Sequence, residues 1–95
     1  LSDAFDRTAQ VRVMRWKWIP SQVKVTDADG TTVSRMLPDR FQQEIDRIAM
    51  KQGLAGTDDY LDAWAWSAPE ERPGGADAVA DAVVAELVAA GFREP

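Results

Sequence analysis

Residues 11–26 read VRVMRWKWIPSQVKVT, and this stretch decides the fold. β-Branched and aromatic side chains fill residues 11–19, which predicts a β-strand that ends before Pro20. The alternation of this strand is imperfect, because its two valines have one parity and its two tryptophans have the other. Either both faces of the strand are partly covered, or a β-bulge between Val13 and Met14 changes the face to which the following side chains point.

A hairpin follows this first strand. Residues 21–26 alternate valine with polar side chains, residues 27–30 (DADG) supply turn chemistry, and residues 31–36 return as the second arm. The DADG run resembles a calcium loop only faintly, since such a loop needs glycine at its sixth position and glutamate at its twelfth. We interpret the run as a turn and predict no metal site.

Two longer helices are predicted in the rest of the chain. Pro38 suits a first helical position, and Gly53 is placed to end that helix. A second, alanine-rich helix spans residues 76–90 and ends at Gly91. Its apolar face lacks bulky side chains, so it should pack close against a sheet. The first helix carries its apolar stripe at i, i+4, i+7 and i+8, on Phe41, Ile45, Ile48 and Ala49.

The segment between the two helices contains a short helical turn capped by Thr57 and a strand over residues 64–67. Residues 70–75 read as a polar loop. The element order predicts an α+β fold, a small antiparallel or mixed sheet of about four strands with two helices packed on one face. We expect residues 1–9 to form a flexible N-terminal segment and residues 10–95 to form a single domain.

Composition excludes several kinds of chemistry. Cysteine and histidine are both absent, so this chain has no disulfide, thiolate metal site, cysteine nucleophile or imidazole base. Apolar runs are too short to cross a bilayer, and the first ten residues do not resemble a signal peptide. The sequence therefore predicts a cytoplasmic protein that needs no cofactor and does not associate with membranes.

Charge is distributed unevenly along the chain. The net charge is −5, and residues 1–36 carry six basic and four acidic side chains against five and twelve in residues 37–95. An acidic chain lacks the broad positive surface that duplex nucleic acid requires. The charge distribution therefore argues against a nucleic-acid partner.

No motif indicates an enzyme. Paired acids of the glycosidase type must face each other across a cleft, and nothing in the sequence predicts one. Neighbouring acids near helix starts are usually solvated, and no glycine-rich run ends in the Lys-Ser/Thr of a phosphate-binding loop. We predict a protein without catalytic residues. The candidate carboxylates are Asp58, Asp59, Asp62, Glu70 and Glu71.

All four tryptophans lie in two Trp-x-Trp pairs, at residues 16–18 and 64–66. Residues i and i+2 of a strand share a face, so each pair presents two indoles side by side. The indoles could form the core, a protein interface, or a stacking surface for single-stranded nucleic acid. Parity favours the core, because Trp16 and Trp18 point away from Arg15 and Lys17. The basic residues near that pair are Arg12, Arg15, Lys17 and Lys24.

Three runs of the sequence form a recognisable set: WKWIPSQV at residues 16–23, LPDRFQ at 37–42 and TDDYL at 57–61. Together with Ile45, Asp46 and Ala49, they resemble a small bacterial family, the virulence factor domain. That family also includes a C-terminal module of conserved virulence factor C proteins, which accompanies a domain similar to Nfu/NifU iron–sulfur scaffolds. The resemblance covers residues 11–66, brings no catalytic residue, and implies an adaptor. Because cysteine is absent, this chain could serve such a scaffold only as an accessory.

We therefore predict a non-catalytic accessory or protein-interaction module, with a protein partner or a second copy as a homodimer. Weak single-stranded nucleic-acid binding through the Trp/Arg/Lys strand surface is the alternative. The predicted partner contact consists of Trp16, Trp18, Ile19, Pro20, Asp58, Asp59 and Tyr60.

Overall fold

The computed structural model describes residues 8–92, which form five strands and three helices. The strands are β1 (Thr8–Trp16), β2 (Ile19–Asp27), β3 (Thr32–Met36), β4 (Trp64–Trp66) and β5 (Glu70–Pro73). The helices are α1 (Asp39–Lys51), α2 (Asp58–Asp62) and α3 (Ala76–Ala90).

One antiparallel sheet contains all five strands in the order β3-β2-β1, with β4 and β5 both paired to the remaining side of β1. The predicted α+β class is confirmed, with one strand more than expected. The extra strand is β5, in a segment that we predicted as a polar loop. Its pairing depends on an open edge of β1 about sixty residues earlier in the chain, and local sequence does not encode that edge.

The bounds predicted for the first strand, residues 11–19, were wrong. β1 ends at Trp16, Lys17 and Trp18 form a tight turn, and β2 begins at Ile19 and contains Pro20. Lys17 has a φ of 55°, the positive value that two-residue hairpin turns need. The dipeptide carries no asparagine or glycine to signal such a turn. The first two indoles therefore do not lie side by side on one strand.

A β-bulge is present, but one position later than predicted. The pairing of β1 with β2 shifts between Met14 and Arg15, and Ser21 has no partner residue in β1. The neighbouring Pro20 is compatible with a strand because bulges interrupt the regular ladder of N–H donors. Of the predicted flexible segment, Thr8 and Ala9 lie in β1, while residues 1–7 lie outside the described residues.

Helix α3 covers one face of the sheet. The ion pairs of Arg35 on β3 show which face the helix covers. The Nη2 and Nε atoms of Arg35 lie 2.8 and 3.3 Å from carboxylate oxygens of Asp77 and Asp81 on the helix. Register places Arg35 opposite Val23, so the valine side of the sheet lies under the helix. The buried side chains between α3 and the sheet are Ala9, Val11, Val13, Val23, Val25, Ala76, Val79, Ala80 and Val83.

The opposite side of the central strands, which we call the open face, is polar and accessible. Register pairs Arg12 with Lys24 and Gln22 with Met36 on this side. Arg12, Lys24 and Met36 are exposed, and Gln22 is half-buried. The sheet therefore has one face covered by α3 and an opposite face that is accessible around these four residues. Trp16 has the parity of Arg12, but it is buried against α2.

Helix α1 packs against β2 at the hairpin end of the sheet. The backbone N–H of Leu37 donates to the Ser21 carbonyl at 2.9 Å, which fixes the approach to the helix. At the other end of the chain, Gly91 has a φ of 75° and ends α3. Phe92 then meets Phe41 edge to face, with ring centroids 5.0 Å apart. The predicted apolar stripe of α1 is buried, on Phe41, Ile45, Ile48 and Ala49.

The contact between β5 and α3 predicts a specific pH dependence. Arg72 donates two hydrogen bonds of 2.6 and 2.7 Å to the Glu86 carboxylate, which lowers the pKa of Glu86. A carboxyl with a lowered folded-state pKa stabilises above its unfolded pKa, and that stability is lost as pH falls through the folded value. We expect Glu86→Gln to lower the thermal midpoint at pH 7. The difference should vanish well below the ordinary glutamate pKa of about 4.3.

Thermal unfolding followed by circular dichroism between pH 7 and pH 2.5 measures this effect. Glu71→Gln is the matched control, because Glu71 makes no ion pair within the described residues. A Glu86→Gln difference that stays constant across the pH range would contradict the assignment.

Candidate interaction groove

A groove of about 700 Å³ lies between α1 and the C-terminal end of α3, beside the tip of the β1–β2 hairpin. Trp18, Ile48 and Phe92 contribute its large apolar side chains. We call this site the α1–α3 groove. Its remaining lining residues are Arg40, Glu44, Arg47, Lys51, Gln52, Ala89, Ala90 and Gly91.

Three local features shape the groove. The tight turn at Lys17 brings Trp18 to the groove, and the Lys17 Nζ donates to Gln52 Oε1 at 2.9 Å, which ties the turn to the end of α1. The left-handed Gly91 ends α3, so that Phe92 reaches Phe41 of α1. The groove is thus bounded by three segments that are far apart in the sequence.

Basic side chains dominate the α1 side of the groove. Arg47 donates two hydrogen bonds of 2.7 Å to Glu44, which lowers the pKa of Glu44 and raises the pKa of Arg47. Arg40 lies with its guanidinium carbon 5.3 Å from the centroid of the Phe41 ring. Within residues 8–92, no carboxylate lies within ion-pair distance of Arg40 or Lys51. The α1 side therefore carries excess positive charge in a chain of net charge −5.

The predicted contact residues do not form one surface. Trp16 and Ile19 are both 0 % exposed, and Pro20 is buried, so these three side chains belong to the interior. Trp18 lines the α1–α3 groove. Tyr60 instead lines a second cavity of about 340 Å³ on the other side of α1.

The other predicted contact residues, Asp58 and Asp59, are exposed in the first turn of α2. The predicted cap of that helix is present, since the Thr57 hydroxyl accepts a hydrogen bond from the Tyr60 N–H. Neither aspartate lines the groove or the second cavity. Their role as an acidic part of a partner contact stays a prediction.

Trp16 joins the sheet to α2. Its Nε1 donates to the Tyr60 carbonyl at 2.9 Å, and the two rings lie 5.6 Å apart between centroids. The Lys17 Nζ lies 5.4 Å from the centroid of the Trp16 ring. Across the sheet, Trp16 pairs with Ile19 and Trp64. The indole is therefore enclosed by neighbours from three elements.

One basic residue does meet an indole on the open face. The Arg12 guanidinium lies 5.8 Å from the Trp66 ring centroid, and its Nε donates to the Ser67 carbonyl at 3.1 Å. Trp66 pairs with Met14 across the sheet, which gives it the parity of Arg12. The parity prediction concerned Trp16 and Trp18 and their basic neighbours on the same strand, so it did not cover this contact between two strands.

The five candidate carboxylates of the sequence are all exposed and line neither cavity. In the part of the chain that the structure describes, no group of three or more acidic side chains is arranged to hold a metal ion. None of the helices in residues 8–92 combines the length and the apolar character of a membrane span.

Sequence reasoning missed most of the groove. Arg40, Glu44, Arg47 and Lys51 recur at i, i+4, i+7 and i+11, and this spacing could have indicated one charged side of the helix. No local signal could have predicted that Phe92 meets α1, because that contact depends on how α3 crosses the sheet.

The fold and the groove define a class, a small α+β domain whose sheet is covered by a helix on one face and whose hairpin end carries a groove with basic sides. Residues 14–93 match the model of a protein family described as Virulence factor. The match covers most of the chain, and the chain belongs to this family, in agreement with the resemblance of its tryptophan and proline motifs. Comparison with curated proteins and with solved structures finds no match.

Proposed function

We propose that this domain is a non-catalytic, cytoplasmic accessory module that binds another protein through the α1–α3 groove. One observation carries the proposal: a half-buried indole, Trp18, lies in a concave site with Arg40 and Lys51 on its side. Tryptophan and arginine are the residue types that most often dominate binding energy at protein interfaces. Such anchors act best when neighbouring side chains exclude water, as Ile48 and Phe92 can do here.

Comparative capture tests this proposal. Tagged wild-type protein and Trp18→Ser are used in parallel with lysate of the source cell, and bound proteins are quantified by mass spectrometry. Leu61→Ser is the matched control, because Leu61 is exposed on α2 and lines neither cavity. We expect a partner that is lost at least tenfold with Trp18→Ser, since hot-spot truncation costs about 2 kcal/mol or more.

The control variant should retain the partner, and circular dichroism should show that both variants are folded. A partner retained equally by all three proteins would contradict the groove as the contact. Sedimentation at several protein concentrations tests the predicted homodimer in the same way. Self-association that is lost only with Trp18→Ser would identify a second copy as the partner.

A second candidate function, weak single-stranded nucleic-acid binding, is favoured by the pairing of Arg12 with Trp66 and Lys24 on the open face. Stacking surfaces for single strands combine aromatic and basic side chains in this way. The net charge of −5 opposes it. Tryptophan fluorescence quenching by oligo(dT), lost at high salt and in Arg12→Ala, would support this candidate. We expect a flat titration.

A further inference from the structure

We infer that the α1–α3 groove takes an acidic segment of a partner protein, with a bulky apolar side chain between flanking carboxylates. This inference rests on the proposed function and adds the chemistry of the partner. It follows from the position of the charges on α1 and from what the groove contains between them.

Charges segregate around α1. With 100° per residue, Arg40, Arg47 and Lys51 project within about 40° of one another, while Asp39 and Asp46 project about 100° or more away from Arg40. The three cations line the groove together with Glu44, which pairs with Arg47 and leaves Arg40 and Lys51 as the excess positive charge. Asp46 lines the second cavity on the other side of the helix. The groove thus has a local positive field in an acidic protein.

The two cations that have no ion pair among residues 8–92 lie at the two ends of the groove side of α1. Arg40 and Lys51 are eleven positions apart, which corresponds to roughly 16 Å along a helix axis. Arg47 between them is already paired with Glu44 at 2.7 Å. An extended peptide spans the same distance in about five residues. Carboxylates at that spacing could reach both cations.

The apolar side chains occupy the space between those cations. Trp18, Ile48 and Phe92 line the groove, and its volume of about 700 Å³ can hold one or two large apolar side chains. A nucleic acid would need successive aromatic surfaces for its bases. In this groove the aliphatic Ile48 stands where a stacking surface would need an aromatic ring, and small side chains line the α3 end. The lining therefore favours an acidic, apolar-anchored peptide.

Labelled octapeptides test the inference by fluorescence anisotropy with the full chain. The probe is Ac-EESLLSEE-NH2. Three control peptides each change one property: Ac-QQSLLSQQ-NH2 removes the negative charge, Ac-EESSSSEE-NH2 removes the apolar anchor, and Ac-KKSLLSKK-NH2 reverses the sign of the charge. We expect the acidic leucine peptide to bind at least fivefold more tightly than each of the other three. Its affinity should fall as salt rises, because exposed ion pairs are screened.

A double charge reversal, Arg40→Glu with Lys51→Glu, should weaken the acidic peptide at least tenfold and allow the lysine peptide to bind. The matched control reverses two cations of the open face, Arg12→Glu with Lys24→Glu, and gives the same net charge. It should leave binding of the acidic peptide unchanged. Equal weakening by both double variants would overturn the inference, because it would indicate a general field effect.

The outcomes separate this inference from the proposed function. Equal binding of the acidic and glutamine peptides, both lost with Trp18→Ser, would overturn the acidic preference and leave the groove as a protein-binding site. Binding of oligo(dT) that is lost only in the Arg40/Lys51 double variant would assign the groove to nucleic acid and overturn the inference. No binding of any peptide would also overturn it, while the capture comparison still decides the proposed function. If the protein forms a dimer and the acidic peptide dissociates it, the groove binds a second copy of this chain, and a different protein as the partner is contradicted.

Discussion

Trp16→Ala should remove about 3–5 kcal/mol from the free energy of unfolding, the range for truncating a large buried aromatic side chain. Trp16 is 0 % exposed and is the largest side chain of the core. Its loss would leave a cavity between the sheet and α2 and would leave the Tyr60 carbonyl without its 2.9 Å donor. Domains of this size have about 5–15 kcal/mol in total, so the variant should be close to unfolding at room temperature.

Urea denaturation followed by far-ultraviolet circular dichroism measures this loss. Trp66→Ala is the matched control, because it removes the same side chain from a half-buried position next to the open face. We expect the control to lose clearly less stability than Trp16→Ala. Similar losses for the two variants would contradict the central position of Trp16.

A third variant, Trp16→Phe, separates the ring from its hydrogen bond. Phenylalanine keeps an aromatic side chain in the core but cannot donate to the Tyr60 carbonyl. An unsatisfied buried acceptor costs about 1–3 kcal/mol, and the smaller ring adds a packing loss. The stability of Trp16→Phe should therefore fall between those of wild type and Trp16→Ala.

Ala80→Leu should destabilise the domain by about 1–3 kcal/mol, the usual cost of overpacking a filled core. Ala80 is 0 % exposed at the centre of the face that α3 turns to the sheet. The residues around it, Val79 and Val83, are also buried. Because protein interiors are close-packed, three additional carbon atoms require the helix to move or neighbouring rotamers to strain.

Ala85→Leu makes the same chemical change on the exposed side of α3. Surface substitutions of this kind usually change stability by less than about 0.5 kcal/mol. Thermal or urea unfolding of the two variants therefore compares one substitution at two positions of one helix. A wild-type stability for Ala80→Leu would show that α3 is not closely packed on the sheet.

Both long helices followed from local sequence. The stripe of α1 and the alanine-rich face of α3 have the helical period, and the helices end within two residues of Pro38, Gly53 and Gly91. Pro38, predicted as the first helical residue, is the N-cap of α1. Thr57 likewise predicted the cap of α2. These signals are local because helical hydrogen bonds and caps join residues within about four positions of one another.

The candidate site could be predicted only in part. Trp18 was among the predicted contact residues and lines the groove, whereas Trp16 and Ile19 belong to the core. Residue types alone cannot distinguish these roles, because an indole suits a core and an interface equally well. The turn at Lys17 separates the two tryptophans, and its positive φ is maintained by pairing on both sides of the hairpin.

The sequence by itself determined the α+β class, the two long helices, the absence of cysteine and histidine chemistry, and the family. Each of these depends on composition, on short periodic patterns or on motifs that lie within single segments. Tertiary structure alone decided the pairing of β5 with β1, the burial of Trp16 and the α1–α3 groove. These features join residues that are distant in the chain, so their free energy comes from packing and pairing across elements, which no local pattern records.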